Sequence, residues 1–201
     1  KAETVYDTGE MLVTALLRSK SGAVLVATLP NGKVFRIDAA GKGEPFCTLP
    51  AKHVWALVEN AQGTVFAATG PGGAVYQVDP TGSSKIALDT KRENALSLAL
   101  APDGSLLVGT ASAGLVYSVA PGGKVSVLAD FGDAEVKDLR ADEGGVWAAV
   151  NSGVKAQPAE FLKALTDAAQ QAKSPEEAAK KSEEAAAPET AAAAPAAAAA
   201  V

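Results

Sequence analysis

Cysteine and histidine are almost missing from this sequence: Cys47 and His53 stand alone among 201 residues. A single cysteine excludes an intrachain disulfide and a cysteine metal cluster. Cys47 reads instead as a small hydrophobe in a strand. A single histidine cannot by itself build a histidine metal site. Aromatic residues amount to 5%. No apolar run reaches the ~18 residues that a membrane helix needs. The alanine-rich end is interrupted by Pro188, Glu189 and Pro195. Basic residues are also short: 18 Lys and Arg stand against 23 Asp and Glu, for a net charge of -5. Without clustered cations a nucleic-acid groove is not expected. No basic start followed by an apolar core marks a leader peptide. The compartment, cell envelope, periplasm or cytoplasm, is left open.

What is present is a repeat. Pro102-Asp103-Gly104-Ser105-Leu106-Leu107-Val108-Gly109-Thr110 is a tight turn followed by an apolar run that ends in a small residue and threonine. Related stretches run from Ser21 to Thr28, Gln62 to Thr69 and Gly144 to Asn151. Their turn glycines stand at 22, 63, 104 and 145, so each step is 41 residues. Leu16, Leu57, Leu98 and Leu139 keep the same interval, as do Val34, Val75 and Val116. Glycines at 41, 82 and 123 punctuate each unit again. Glycine suits these turns because positive φ is costly for a residue with a Cβ.

Four short strands per unit follow from this punctuation. The spacing predicts blades over 12–49, 53–89 and 94–129, and a partial blade over 135–153. Thr4 to Thr8 has strand composition and lies 41 residues before Pro45 to Leu49. It reads as the last strand of a preceding unit. Four strands in about 40–45 residues, repeated in series, is the requirement of a β-propeller blade. Both faces of a blade pack on neighbours, which explains why several strands are continuous apolar runs rather than alternating ones. A solenoid coil needs a shorter period, and a sandwich would not hold its glycines at a fixed interval. The expected fold is all-β, a partial β-propeller over 1–153.

The turn Pro102-Asp103-Gly104 with its strand and Gly109-Thr110 resembles the repeats of bacterial propellers of the NHL, WD-like and two-component-regulator types. Gly114-Leu115-Val116-Tyr117-Ser118-Val119 and Val75-Tyr76-Gln77-Val78-Asp79 share that resemblance. It covers about residues 4–153. The Trp-Asp and Gly-His pairs of true WD repeats and the tryptophan docking motif of quinoprotein propellers are absent. The fourth unit changes composition after Ser152-Gly153. The expectation is a segment of a larger propeller, or one that another chain completes.

Residues 154–187 read as helical, with Pro158 to Ala172 as one helix and Ser174-Pro175-Glu176-Glu177 as the start of a second. Residues 188–201 read as an Ala/Pro-rich tether. It is expected to leave from the rim that carries the inter-blade links.

No convergent catalytic set emerges, and neither a cofactor nor a metal site is expected. Asp38, Asp79 and Asp103 recur because the turn recurs, and their carboxylates are expected to cap backbone N–H groups. Gly70-Pro71-Gly72-Gly73 matches a phosphate loop only in glycine content. His53 is expected in the turn Pro50 to His53. Trp55 and Trp147 are expected to pack between blades. The candidates for partner contact lie on one rim: Asn31, Lys52, His53, Lys91, Arg92, Glu93, Asp133 and Asn151. The first reading is a non-catalytic binding or scaffold module whose partner is a protein or further blades, in a homo- or hetero-assembly. The alternatives are a metal-dependent hydrolase or lyase resembling the lactonase group, and a ligand-sensing propeller.

Overall fold

The computed structural model describes residues 3–92 and 94–152. The readings of 154–201, helices and tether, lie outside them. Three four-stranded antiparallel meanders follow one another. Blade 1 contains β1 (Leu12–Arg18), β2 (Val24–Leu29), β3 (Lys33–Ile37) and β4 (Gly43–Thr48). Blade 2 contains β5 (His53–Glu59), β6 (Val65–Gly70), β7 (Ala74–Val78) and β8 (Ser84–Asp89). Blade 3 contains β9 (Ala95–Leu100), β10 (Leu106–Thr110), β11 (Leu115–Val119) and β12 (Val125–Asp130). A two-stranded hairpin follows, β13 (Ala134–Asp142) and β14 (Gly145–Ser152). The first strands neighbour one another in series, β1 to β5 to β9 to β13.

The glycine turns have the conformation their spacing requires. Gly22, Gly63 and Gly104 have φ of 88°, 78° and 82°, and Gly41, Gly82 and Gly123 have 81°, 91° and 83°. The threonine that ends each second strand is fully buried and closes the next turn. Thr28, Thr69 and Thr110 donate their hydroxyls to the carbonyls of Lys33, Ala74 and Leu115 at 2.9, 2.7 and 3.2 Å. The aspartates cap as expected. Asp38 accepts from the N–H groups of Ala40 and Lys42, and Asp79 from those of Thr81 and Ser83.

The core lies in the seams between blades. Leu25, Ala27, Val34 and Cys47 of blade 1 meet Val54, Leu57, Val65 and Ala67 of blade 2. Cys47 is buried, and that burial pushes its thiol up to about 11. Ala68, Val75 and Leu88 meet Leu98, Leu106 and Val108 in the next seam. Leu107 and Val116 then meet Val136 and Leu139. Blade 1 has a free side. Leu16 is 68% exposed, whereas Leu57, Leu98 and Leu139, its counterparts, are 8% or less. The fold supplies each of those three with a preceding blade.

Four details depart from the sequence reading. Residues 4–8 form no strand. They nonetheless occupy the place the register demands: Gly41 lies beside Val5 as Gly82 lies beside Phe46, one repeat on. The Tyr6 ring covers Gly43 and stands 6.0 Å from that of Phe35. A strand needs a ladder partner, and no backbone bond among the described residues supplies one. His53 is not in a turn but opens β5, paired with Gly70. The stretch Asp133 to Glu135 reads in the sequence as a turn between blades, yet its Ala134 and Glu135 belong to β13.

The fourth departure is a register slip. Arg18 pairs with Val24, Glu59 with Val65 and Leu100 with Leu106. Ala141, in the same position of its unit, pairs with Val146 instead of Trp147. The β13–β14 loop is shorter, closed by Asp142 and Gly145, and Asp142 accepts from the N–H of Gly144 at 2.7 Å. One residue of slip sends every side chain of a strand to the other face. Val150 therefore packs on the third seam, and Trp147 turns away, 53% exposed. Trp147 is not the packing residue its repeat position implies.

Candidate functional site

In each meander the β2–β3 turn and the link to the next blade share one rim. Backbone bonds tie them together: Gly32 N–H to Lys52 O, Thr90 N–H to Gly73 O and Phe131 N–H to Gly114 O. Seven of the eight candidate residues are described there, and Glu93 lies outside the described residues. Lys52, Arg92 and Asp133 are exposed in successive links. Lys91 has φ of 54° and pairs with Asp89, whose carboxyl its ammonium holds below the ordinary range. Asn31 is engaged by Glu10, at 2.8 Å from its Nδ2. Glu10 also meets Lys33 at 2.8 Å, and Lys33 first, then Asn31, lowers its pKa. Asn151 stands in β14 opposite Glu135.

The structure gathers one of these candidates into a cluster. The His53 ring stands edge-on to Trp55 with centroids 5.0 Å apart. Trp55 Nε1 donates to Asn94 Oδ1 at 3.1 Å, so the cluster crosses the seam between blades 2 and 3. Gly70 makes the room, since a Cβ there would fall on the Asn94 amide. Trp55 is half-buried.

The position of Trp55 has a local cause that sequence reasoning missed. Each first strand carries a β-bulge at the same place. The bulges interrupt pairing between Val13 and Ala15, Val54 and Ala56, Ala95 and Ser97, and Val136 and Asp138. The extra residues are Thr14, Trp55, Leu96 and Lys137, one repeat apart. A bulge re-aims a side chain out of the regular ladder. The detectable signal was variation: these four positions share geometry yet hold four different chemistries, while Val13, Val54, Ala95 and Val136 just before them stay small and apolar.

Among the described residues no three His, Cys, Asp or Glu side chains gather as a metal-ligand set. Two clefts among the described residues lie on the opposite rim, with the turns that join first to second and third to fourth strands of the blades.

No protein-family model matches the chain, and no curated protein sequence matches it. Solved structures do. The chain is similar to virginiamycin B lyase from Staphylococcus aureus, at 13% identity over 67% of this chain and 47% of the lyase, with a TM-score of 0.59. It is similar to the extracellular domain of a one-component system from B. thetaiotaomicron, at 22% identity over 74% of this chain and 22% of that one, with a TM-score of 0.58. A chain of the nidogen/laminin complex matches at 12% identity over 63% of this chain and 51% of its own length, with a TM-score of 0.55. The chain spans about half the length of the lyase it matches. A lyase, an extracellular domain and a chain of a protein complex thus share one architecture with three blades and a hairpin that repeat every 41 residues. The chain has the β-propeller fold.

Proposed function

We propose that the chain is a non-catalytic binding module, a β-propeller segment whose inter-blade links and β2–β3 turns meet a protein partner. The observation that carries this reading is the repeated bulge. The fold demands an extra residue at 14, 55, 96 and 137 but no particular side chain, and Thr, Trp, Leu and Lys occupy the four places. Geometry held constant under changing chemistry suits recognition rather than packing. The half-buried Trp55, edge-on to His53 and bonded to Asn94, shares its rim with the exposed Lys52 and Arg92 and has the make-up of a contact centre. The end faces take further blades, from the same polypeptide or a partner. Exposed Met11, Leu12 and Leu16 at one end, with Val146 and Trp147 at the other, support this; buried apolar seams join the blades in between.

Photo-crosslinking tests the reading. A crosslinker placed at 52 or 92 is expected to trap one defined partner in the native source, and Trp55→Ala to abolish that adduct. Adducts that form equally well from position 42, in the β3–β4 turn of the opposite rim, would overturn it. The shared fold also serves lyases. Turnover of a cyclic lactone by the purified chain would replace the binding reading with a lactonase-type one, metal-dependent if a chelator stops it.

A further inference from the structure

Two clefts open on the rim opposite the links, one at each of the first two seams. The cleft between blades 1 and 2 measures about 660 Å³ and that between blades 2 and 3 about 820 Å³. They are built from equivalent positions of the repeat. Arg36, Phe46, Pro80 and Leu25 line the first, and Gln77, Ala87, Pro121 and Phe66 stand in their places in the second.

In the first seam the chain narrows its own groove. The Arg36 guanidinium lies 4.2 Å from the centre of the Phe46 ring and donates from Nη2 to Pro80 O at 3.1 Å. In the second seam both members of that pair are exchanged, for the amide of Gln77 and the methyl of Ala87. Ring and guanidinium are lost together, and the cleft is the larger of the two. Its floor is more aromatic, because half-buried Phe66 replaces Leu25. Its wall carries Ile86, 57% exposed.

Charge does not choose the occupant. Lys20, Lys85, Glu59 and Asp103 line the cleft and balance. The Glu59 carboxylate is already engaged by the Ser19 hydroxyl at 3.1 Å and the Lys20 N–H at 2.7 Å. Asp103 is engaged by the N–H of Ser105 at 2.9 Å. What is left is a slot floored by Phe66, Leu106 and Val119 and edged by the amides of Gln62 and Gln77, whose counterpart in the first seam is shaped by an aromatic ring.

We propose that the seam between blades 2 and 3 is a docking cleft for one aromatic side chain of a partner polypeptide, which takes the place that the Phe46 ring holds in the preceding seam. An aromatic anchor buries a large area at small entropic cost, and a pocket with an apolar floor and a carbonyl at its edge suits it. Pro121 holds the repeat position of Pro80, whose carbonyl accepts from Arg36 in the preceding seam. This site is on the rim opposite the His53–Trp55–Asn94 cluster and stands or falls independently of it.

The test titrates the full chain with N-acetyltryptophanamide and, for comparison, N-acetylalaninamide, while NMR follows the Ile86 methyl and Phe66 ring. The aromatic probe is expected to give saturable shifts at both residues and the alanine probe none. Gln77→Arg with Ala87→Phe transplants the blade 1 pair into the second seam and is expected to weaken binding by about tenfold or more. Affinity unchanged in that variant would overturn the proposal. So would equal shifts from the alanine probe, or none from the aromatic one up to its solubility limit. Should the double variant fail to fold, Ile86→Asp is expected to give the same loss, and unchanged affinity there is equally decisive.

Discussion

The indole N–H of Trp55 donates to the side-chain carbonyl of Asn94 across 3.1 Å, tying β5 of blade 2 to the link that enters blade 3. A half-buried neutral bond of this kind contributes ~1 kcal/mol. Trp147 is exposed and would mask the signal, so the measurement uses a Trp147→Phe background. There Asn94→Ala is expected to lower stability by about that amount and to shift the remaining indole emission to the red. Asn94→Asp keeps the acceptor and is expected to shift it less. An emission maximum indifferent to both changes would contradict the bond.

Buried hydroxyls at the ends of β2, β6 and β10 should behave alike. Thr69→Val and Thr110→Val keep the shape but leave the carbonyls of Ala74 and Leu115 without their donor. Each is expected to cost ~1–3 kcal/mol in urea denaturation, and Thr→Ser at the same site less. A loss for Ser with none for Val would mean that the methyl, not the hydroxyl, matters.

Glycines with the same sign of φ should differ by what surrounds them. Gly22 has φ of 88° and open space beside it. Gly114 has φ of 53°, and a Cβ there would stand 2.7 Å from the carbonyl oxygen of Gly132 in the following link. Gly22→Ala is expected to cost only the left-handed penalty of ~1–2 kcal/mol. Gly114→Ala adds a backbone clash and is expected to cost more, with changed amide shifts around Phe131. A smaller effect at Gly114 would show that the link relaxes freely.

Two turn carboxylates set an acid limb. The Thr81 hydroxyl, then backbone N–H groups of Thr81, Ser83 and Gly82, hold Asp79 below the ordinary carboxylate value. The N–H and hydroxyl of Ser105 do the same for Asp103. Both groups are ionised more readily folded than unfolded. Their contribution is therefore present above the unfolded pKa of ~3.9 and lost as pH falls through the lower folded values. Both are solvent-exposed, so the effect is screened and small. Asp79→Asn is expected to flatten the fall of the urea midpoint below about pH 4. An identical pH profile would rule out Asp79 as a contributor.

The repeat was legible because its glycines are conformational requirements, and requirements recur at the period that creates them. The four-strand division, the burial of Cys47 and the capping by Asp38 and Asp79 all follow from that. What escaped is what the period does not dictate. Residues 4–8 have strand composition and the right place beside Gly41, yet pairing depends on a partner that composition cannot supply. Trp147 obeys the 41-residue step, but the shorter Asp142–Gly145 loop shifts its strand by one residue and reverses its face. The bulges under Trp55 and Lys137 insert a residue without changing the period, so they leave no mark in spacing. The difference between the seams was written in the residue pairs Arg36/Gln77 and Phe46/Ala87, and it shows only when equivalent positions are compared for volume rather than for likeness.

Each blade touches only its neighbours, and that arrangement governs how the molecule comes apart. Stability in such an array is a sum of unit terms and nearest-neighbour terms. Among the described residues blade 1 and the β13–β14 hairpin each pack on one neighbour, whereas blades 2 and 3 pack on two. Hydrogen exchange should spread inward from these two ends, and amides of β6, flanked by packed seams on both sides, should be the last to open. Melting would then travel like a zipper from the ends instead of striking the whole array at once.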